Sequence, residues 1–247
     1  MRIFLALFLF FNSLLALSEL EEGLKLYEAN KFDKAYEIFK SLCEKDISKA
    51  CFSLAFMYES AKGMSKDLNQ AYKFYDKACK LGLASACSNM ALLLQNQGYK
   101  NEALLAFNKA CTLGESLSCN NIALFYEKEK DGQMASSFYK RSCDLKNARA
   151  CYQLGSLYDK GELVKASVKS ALAFYSKSCT LGFGEACYLL GRYNQLEKQD
   201  LTKAKRYFGM ACDQKHQEAC AAYKELNSKD IELIKSSIFI TFKDILK

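Results

Sequence analysis

Twelve cysteines are the residues of this chain with the clearest chemical potential, and they form six pairs whose members stand eight positions apart. Cysteines can bind a metal, exchange electrons or form disulfides. Zinc sites and redox motifs commonly use Cys-x-x-Cys, a spacing that this sequence lacks. Structural disulfides within each pair are therefore favoured. The pairs are Cys43 with Cys51, Cys79 with Cys87, Cys111 with Cys119, Cys143 with Cys151, Cys179 with Cys187, and Cys212 with Cys220.

Two further features are candidates for catalysis or metal binding. Ser137 and Lys140 form a Ser-x-x-Lys match, the spacing used by serine β-lactamases. Ser137, however, falls at a position that varies between the repeats described below, which favours coincidence. His216 is the single histidine and stands without a matching set of ligands, so we predict no metal site, no cofactor and a solvated His216.

The first eighteen residues are typical of a secretory signal. Arg2 supplies the positive start, residues 3–17 are mostly apolar, and Ala16 and Ser18 are small residues near a cleavage point. We therefore predict a signal peptide at 1–18 and a secreted or periplasmic mature chain without a transmembrane segment. The oxidising environment of that compartment agrees with the paired cysteines.

The composition favours a chain that is helical nearly throughout. It contains no proline and 12 glycines among 247 residues, which leaves few helix breakers. The net charge of +7 is modest, and no basic run or stacking-aromatic pattern indicates a nucleic-acid partner.

An internal repeat of 32 to 36 residues positions the cysteine pairs. An alanine precedes the first cysteine of each pair by eight positions, and an aromatic ring precedes it by four. Alanine, ring and cysteine then share one face of a helix, B, whose ring fills the space beside a closely packed neighbour. The alanine and ring pairs are Ala35 with Phe39, Ala71 with Tyr75, Ala103 with Phe107, Ala135 with Tyr139, Ala171 with Tyr175, and Ala204 with Phe208.

A preceding helix, A, carries a small residue at a matching position. These residues are Gly23, Ala55, Ala91, Ala123, Gly155 and Gly191. The spacing from small residue to alanine is longer by about one helical turn in two units, which predicts insertions at 61–66 and 161–168. Leu-Gly steps at Gly82, Gly114 and Gly182 predict helix ends in the left-handed conformation. We predict repeats over 19–227 and a capping segment at 228–247.

The pattern resembles the tetratricopeptide repeat and its Sel-like variant. Three spacings carry this likeness. An aromatic residue (Tyr58, Tyr126 or Tyr158) stands three positions after the small residue, and the alanine stands twelve or sixteen positions after that small residue. With one cysteine pair per unit, the chain resembles the Helicobacter cysteine-rich protein family, also labelled a family of β-lactamases. The resemblance implies an all-α, right-handed α/α solenoid with one disulfide per repeat, and penicillin binding or β-lactam hydrolysis.

The A helices of this repeat class line a concave surface, which makes ligand binding there the favoured function. The positions one, two and five after the second cysteine hold polar and aromatic residues that no packing rule claims. Amides can bind a peptide backbone, an arginine can bind a carboxylate, and tyrosines can stack. Peptide, protein or cell-wall-like segments are the predicted ligands, and weak β-lactam hydrolysis is the alternative. The candidate residues are Asn89, Asn120, Asn121, Tyr152, Gln153, Tyr188 and Arg192.

Overall fold

The computed structural model describes residues 2–228, with side chains from residue 15 onward. These residues form α-helices and short links, and no β-strand occurs among them. The chain divides into two compact units, Met1–Ile122 and Ala123–Lys247. The predicted all-α solenoid is confirmed.

The first unit contains three helical hairpins, each made of a first helix and a second helix. Helix α7, Ser116–Lys128, spans the division between the units. The helices of the first unit are α1 (Arg2–Glu28), α2 (Phe32–Glu44), α3 (Ser48–Ser60), α4 (Leu68–Lys80), α5 (Ala84–Asn96) and α6 (Lys100–Thr112).

The second unit continues the same alternation of first and second helices. A final helix, α13, begins at 217 and runs to 228, where the described residues end. The other helices are α8 (Gly132–Asp144), α9 (Ala148–Lys160), α10 (Val168–Thr180), α11 (Gly184–Leu196) and α12 (Leu201–Asp213).

Three-residue links join each second helix to the next first helix, and their middle residue is always left-handed. Gly82, Gly114 and Gly182 have φ angles of 88°, 93° and 88°, as predicted from the Leu-Gly steps. Asp46 and Lys146 adopt the same conformation with φ angles of 60° and 65°. The links thus keep the same geometry where glycine is absent. A residue with a side chain then adopts the left-handed conformation, which is less favourable for it than for glycine.

The links from first to second helix differ in length, as the spacing predicts. Residues 61–67 and 161–167 form the two long links. Asp67 and Ser167 end them as N-caps, and their side chains accept hydrogen bonds from the first turns of α4 and α10. The extra residues lie between the paired helices and leave the core positions in register, while Leu163 and Val164 of the second long link pack against the core.

The small residue on each first helix packs against the ring of its own second helix. A Cβ placed on Gly191 would lie 2.6 Å from Phe208 Cδ1, and one placed on Gly155 would lie 2.7 Å from Tyr175 Cδ1. These distances are too short for ordinary carbon contacts, so the rings require the glycines. The predicted core of small residue, alanine and ring is confirmed.

All six predicted disulfides are formed between neighbouring cysteines, and no cysteine is free. Each bridge joins the end of a second helix to the start of the next first helix, with Cα atoms 4.6 to 4.8 Å apart. The first unit contains the bridges of Cys43 with Cys51, Cys79 with Cys87, and Cys111 with Cys119. The second unit contains those of Cys143 with Cys151, Cys179 with Cys187, and Cys212 with Cys220.

The bridges stabilise the connections between successive hairpins. A loop of this size contributes about 2 to 3 kcal/mol in the chain-entropy model. Cys51, Cys87, Cys119, Cys151 and Cys187 are fully buried at the start of their first helices, so these bridges also belong to the core. Six disulfides in one chain indicate an oxidising, extracytoplasmic environment.

Two predictions concern the ends of the chain. Residues 2–28 form one continuous helix that includes most of the predicted signal peptide. The predicted capping segment lies outside the described residues, except for Ser228. Within the described part of the chain, none of the helices combines the length and the apolar character that a membrane crossing requires.

Candidate ligand-binding face of the first helices

The rings of the second helices are phenylalanines or tyrosines, and the tyrosines add a hydroxyl that forms a hydrogen bond. In three hairpins the ring is a tyrosine whose hydroxyl donates a hydrogen bond to a carboxylate of the first helix. That carboxylate always stands four positions after the small residue. The pairs are Tyr75 with Glu59 at 2.6 Å, Tyr175 with Asp159 at 3.3 Å, and Tyr139 with Glu127.

The three phenylalanine hairpins lack the acid. Opposite Phe107 and Phe208, the position four after the small residue holds Gln95 and Gln195. Opposite Phe39 it holds Tyr27. The correspondence between hydroxyl and acid is present in the sequence, but treating Phe and Tyr as one class of ring conceals it.

The Tyr75 hydroxyl also holds an amide from the next first helix. Asn89 Nδ2 donates to the Tyr75 hydroxyl at 3.3 Å in the first unit. Gln153 stands at the equivalent position in the second unit, close enough to Tyr139 to lower the pKa of its hydroxyl slightly against the larger effects of burial and Glu127. Both amides are among the predicted ligand contacts, and both stand two positions after the second cysteine. At Tyr175 the corresponding position is Leu189, so that hairpin has no amide.

Burial and the carboxylates keep these hydroxyls protonated. Burial raises the pKa of Tyr75 and of Tyr139 well above the usual tyrosine range, and the hydrogen bonds to Glu59 and Glu127 raise it further. The pKa of Tyr175 is raised first by burial and then by the nearby Asp159. The hydroxyls are therefore permanent donors toward the acids and can accept from the amides at neutral pH.

The predicted aromatic contacts pack partly against the core. Tyr152 lies 5.7 Å from Tyr175 and 5.0 Å from Phe183, measured between ring centroids. Tyr188 packs against Phe208, and the exposed Arg192 guanidinium lies 6.0 Å from the Tyr188 ring centroid. Arg192 Nη1 also donates to the Tyr188 hydroxyl at 3.3 Å. Tyr152 and Tyr188 thus present one half-buried edge each.

Three sequence predictions require correction or revision at this face. The predicted solvated His216 is wrong, because its side chain is 14% exposed, stacks on Tyr188 at 4.5 Å and lies 2.9 Å from Glu185 Oε2. The ring fills the space beside Tyr188, which the polar surrounding sequence did not reveal. Asn120 is only 8% exposed, and its Oδ1 has no hydrogen-bond partner among the described residues. Asn121 follows a hairpin whose ring is a phenylalanine, which offers no hydroxyl to hold its amide.

The Ser-x-x-Lys match does not form a nucleophile and base. Ser137 is exposed on α8, and Lys140 Nζ is bound to Asp144 Oδ2 at 2.8 Å. The two hydrogen bonds from Lys140 and Lys177 hold the pKa of Asp144 below its usual range. Among the residues with described side chains, no cluster of His, Cys, Asp and Glu could hold a metal ion.

Comparison with known families identifies the repeat. The Sel1 repeat model matches residues 48–83, 148–183 and 184–216. The chain contains Sel1 repeats. A Sel1 repeat protein from Oxalobacter formigenes is 26% identical over 81% of this chain and 86% of that protein, with a TM-score of 0.65. These matches support the predicted Sel-like fold.

Other similar proteins cover different portions of this Sel1 repeat protein. A protective antigen of uropathogenic Escherichia coli is 19% identical over 85% of this chain and 48% of its own length, with a TM-score of 0.72, which supports the fold alone. Cysteine rich protein B of Helicobacter pylori is 31% identical over 51% of this chain and 96% of its own length, with a TM-score of 0.42. A Haemophilus influenzae protein is 55% identical over 38 residues, which are 15% of this chain and 71% of that protein.

Proposed function

We propose that this Sel1 repeat protein is exported and binds extended peptide or protein segments on the A face. The A face is defined as the positions one, two, five and eight after the second cysteine of each pair, and each unit carries its own section. The observation that carries the proposal is the tyrosine-held amide of Asn89 in the first unit, whose repeat position is occupied by Gln153, near Tyr139, in the second.

A held amide is suited to backbone recognition. The hydroxyl uses one of its two N–H donors, so one donor and the carbonyl oxygen remain for a ligand. An extended peptide offers a matching C=O and N–H at every residue. Because the tyrosine limits the freedom of the amide before binding, less side-chain entropy is lost on complex formation.

The rest of the A face supplies contacts for side chains and charges. Arg192 is exposed and can pair with a carboxylate of the ligand, such as an acidic residue or a C-terminus. The half-buried edges of Tyr152 and Tyr188 offer aromatic surface beside it. Within the second unit, the Gln153 amide, the aromatic edges and the exposed guanidinium offer the contacts that an extended chain requires.

The alternative of β-lactam hydrolysis receives no support from the geometry of Ser137 and Lys140. Turnover of the chromogenic cephalosporin nitrocefin by purified, oxidised protein tests it. If turnover occurs, we expect Ser137→Ala to retain most of it, because Ser137 is exposed and its lysine is bound to Asp144. A loss of about a thousandfold with the fold intact would identify Ser137 as a nucleophile.

Selection of displayed random peptides on the oxidised protein tests the binding proposal. The selected peptide is then titrated against the parent and against the triple variant Asn89→Ala, Asn121→Ala and Arg192→Ala. We expect an affinity loss of about tenfold or more whichever unit holds the peptide, since the two neutral contacts of the first unit contribute about 1 kcal/mol each and the charged contact of the second unit about 1.5 to 3 kcal/mol.

A matched control distinguishes the A face from the rest of the surface. Asn101→Ala, Asn108→Ala and Arg206→Ala remove the same side-chain types from exposed positions of second helices. This control should bind the peptide as the parent does. Equal affinity of parent and A-face variant, or an equal loss in both triple variants, would contradict the proposal.

Export has its own test. We infer that residues 1–18 are removed and that the mature chain begins at Glu19. Leu20 is buried and Glu19 Oε2 lies 3.6 Å from Lys45 Nζ, so both contacts survive this cleavage. N-terminal sequencing of the protein from a periplasmic extract or culture supernatant should find Glu19 or a residue within a few positions of it. Recovery of the intact N-terminus in the cytoplasm would contradict export.

A further inference from the structure

A groove in the first unit is lined by residues outside the A-face positions and has its own chemistry. It has a volume of about 580 Å³ and is formed by the start of α4, the end of α5 and the start of α6. Ligand pockets commonly have volumes of about 300 to 1,000 Å³. The lining residues are Asn69, Tyr72, Leu94, Gln97, Tyr99 and Glu102.

The groove combines aromatic surface with available polar groups. Tyr72 and Tyr99 are 40% and 54% exposed, and among the described side chains Phe56 and Tyr223 are the other aromatic residues with comparable exposure. The side chains of Asn69, Gln97 and Glu102 form no hydrogen bond or ion pair with the described residues. Two aromatic faces, two amides and one carboxylate are therefore available to a ligand in the same groove.

We propose that this groove binds a short oligosaccharide of neutral sugar rings. A sugar ring is amphipathic, with C–H groups that pack on an aromatic face and hydroxyl groups around its edge. Amide and carboxylate side chains supply the donors and acceptors that those hydroxyls require. Glu102 disfavours acidic sugars, because a second negative charge in the groove would be repelled.

The corresponding positions of the second unit show that the repeat alone does not create this chemistry. Alignment through the repeat alanines places Leu172 at the position of Tyr72 and Asp200 at that of Tyr99. Lys203 stands at the position of Glu102 and is bound to Asp200 at 2.8 Å, while the Asn194 amide donates to the Leu190 carbonyl. At these aligned positions the second unit thus offers neither an exposed ring nor an available acid, and it supplies the substitutions for a test.

Titration of isotope-labelled, oxidised protein followed by NMR tests the proposal. The probes are a β-1,4-linked N-acetylglucosamine trimer and maltotriose. We expect at least one probe to cause saturable shifts at the backbone amides of Tyr72, Leu94 and Tyr99, with a Kd of about 1 mM, as is reasonable for a small, open site. Tyr72→Leu and Glu102→Lys introduce the residues of the second unit and should each weaken binding about tenfold.

Controls separate this site from general surface effects and from the A face. Leu105→Ala changes a 72% exposed side chain of α6, the helix that contains Glu102, and should leave sugar binding unchanged. The A-face triple variant should also retain it, so failure of peptide binding and failure of sugar binding are distinguishable. No saturable shift with either sugar, shifts elsewhere in the chain, or unchanged affinity in both groove variants with an intact fold would overturn the proposal. Saturable binding of tetramethylammonium in place of sugars would overturn it as well and assign the groove to cations.

Discussion

The tyrosine hairpins and the phenylalanine hairpins share the same ring packing but differ in the polar contacts that the ring makes. Phe39, Phe208, Tyr75 and Tyr139 are all fully buried against small residues of a first helix. Only the tyrosines continue from the core to the surface, through a hydroxyl that contacts an acid. The comparison indicates that ring volume builds the repeat, while the hydroxyl positions polar groups of the A face.

The disulfides are common to both kinds of hairpin and so do not explain the difference. Cys79–Cys87 follows a tyrosine hairpin and Cys111–Cys119 follows a phenylalanine hairpin, with Cα separations of 4.7 and 4.8 Å. Covalent links therefore hold successive repeats together whichever ring is present. The hydroxyl and acid add a polar layer whose role can be tested separately.

The largest expected effect comes from removing a ring of either kind. Phe39→Ala and Tyr139→Ala should each lower the free energy of unfolding by about 3 to 5 kcal/mol, because each leaves a large cavity beside a small residue. Urea unfolding of the oxidised protein measures this loss. A cost below about 1 kcal/mol for one ring would show that the two kinds of hairpin do not share the same packing role.

Removing only the hydroxyl should cost less and should depend on the acid. Tyr139→Phe leaves the half-buried Glu127 without its donor and should cost about 1 to 3 kcal/mol. Adding Glu127→Gln reproduces the natural pair of Phe107 and Gln95, so the double variant should recover most of that loss. If the two substitutions are simply additive in urea unfolding, the hydroxyl and the acid are not coupled.

Alkaline pH should destabilise the tyrosine hairpins selectively. Because the pKa of Tyr75, Tyr139 and Tyr175 is raised in the folded state, their contribution is fully present below the unfolded value of about 10 and is lost as the pH rises through the folded value. At pH 11 the loss is at most about 1.4 kcal/mol per tyrosine.

The matched control for this pH dependence is the triple variant with phenylalanine at the three positions. Lysines also titrate in this range, so the informative quantity is the difference between parent and variant from pH 9 to pH 11. The parent should lose more of its free energy of unfolding. Parallel pH profiles would show that the buried hydroxyls do not contribute.

The smallest effect is a gain from converting a phenylalanine hairpin. Phe107→Tyr together with Gln95→Glu should create a fourth hydroxyl and acid pair and stabilise the protein by about 0.5 to 1 kcal/mol. The new hydroxyl should also hold Asn121, which NMR would detect as slower exchange of its amide hydrogens. Phe107→Tyr alone is the control and should gain less. An unchanged or lower free energy of unfolding for the double variant would show that a hydroxyl and acid pair stabilises only the hairpins in which it occurs naturally.

The sequence by itself determined the repeat, because local spacing along a helix decides which residues share a face. Alanine, ring and cysteine recur at four-residue intervals, and the lengths of the links at 61–67 and 161–167 follow from the same alignment. The six disulfides were predictable for a related reason, since each joins residues only eight positions apart.

Only the tertiary structure decided which polar residues are held, buried or available. The sequence places Tyr75 before Asn89 and Phe107 before Asn121, but only the helix packing shows that the Tyr75 hydroxyl reaches Asn89 fourteen positions away. Asn120 is buried, His216 stacks on Tyr188, and the groove lined by Tyr72 and Tyr99 is formed where three helices meet. Such contacts depend on neighbouring helices at distances that spacing along one helix does not specify, because hydrogen bonds require placement to within a few tenths of an ångström.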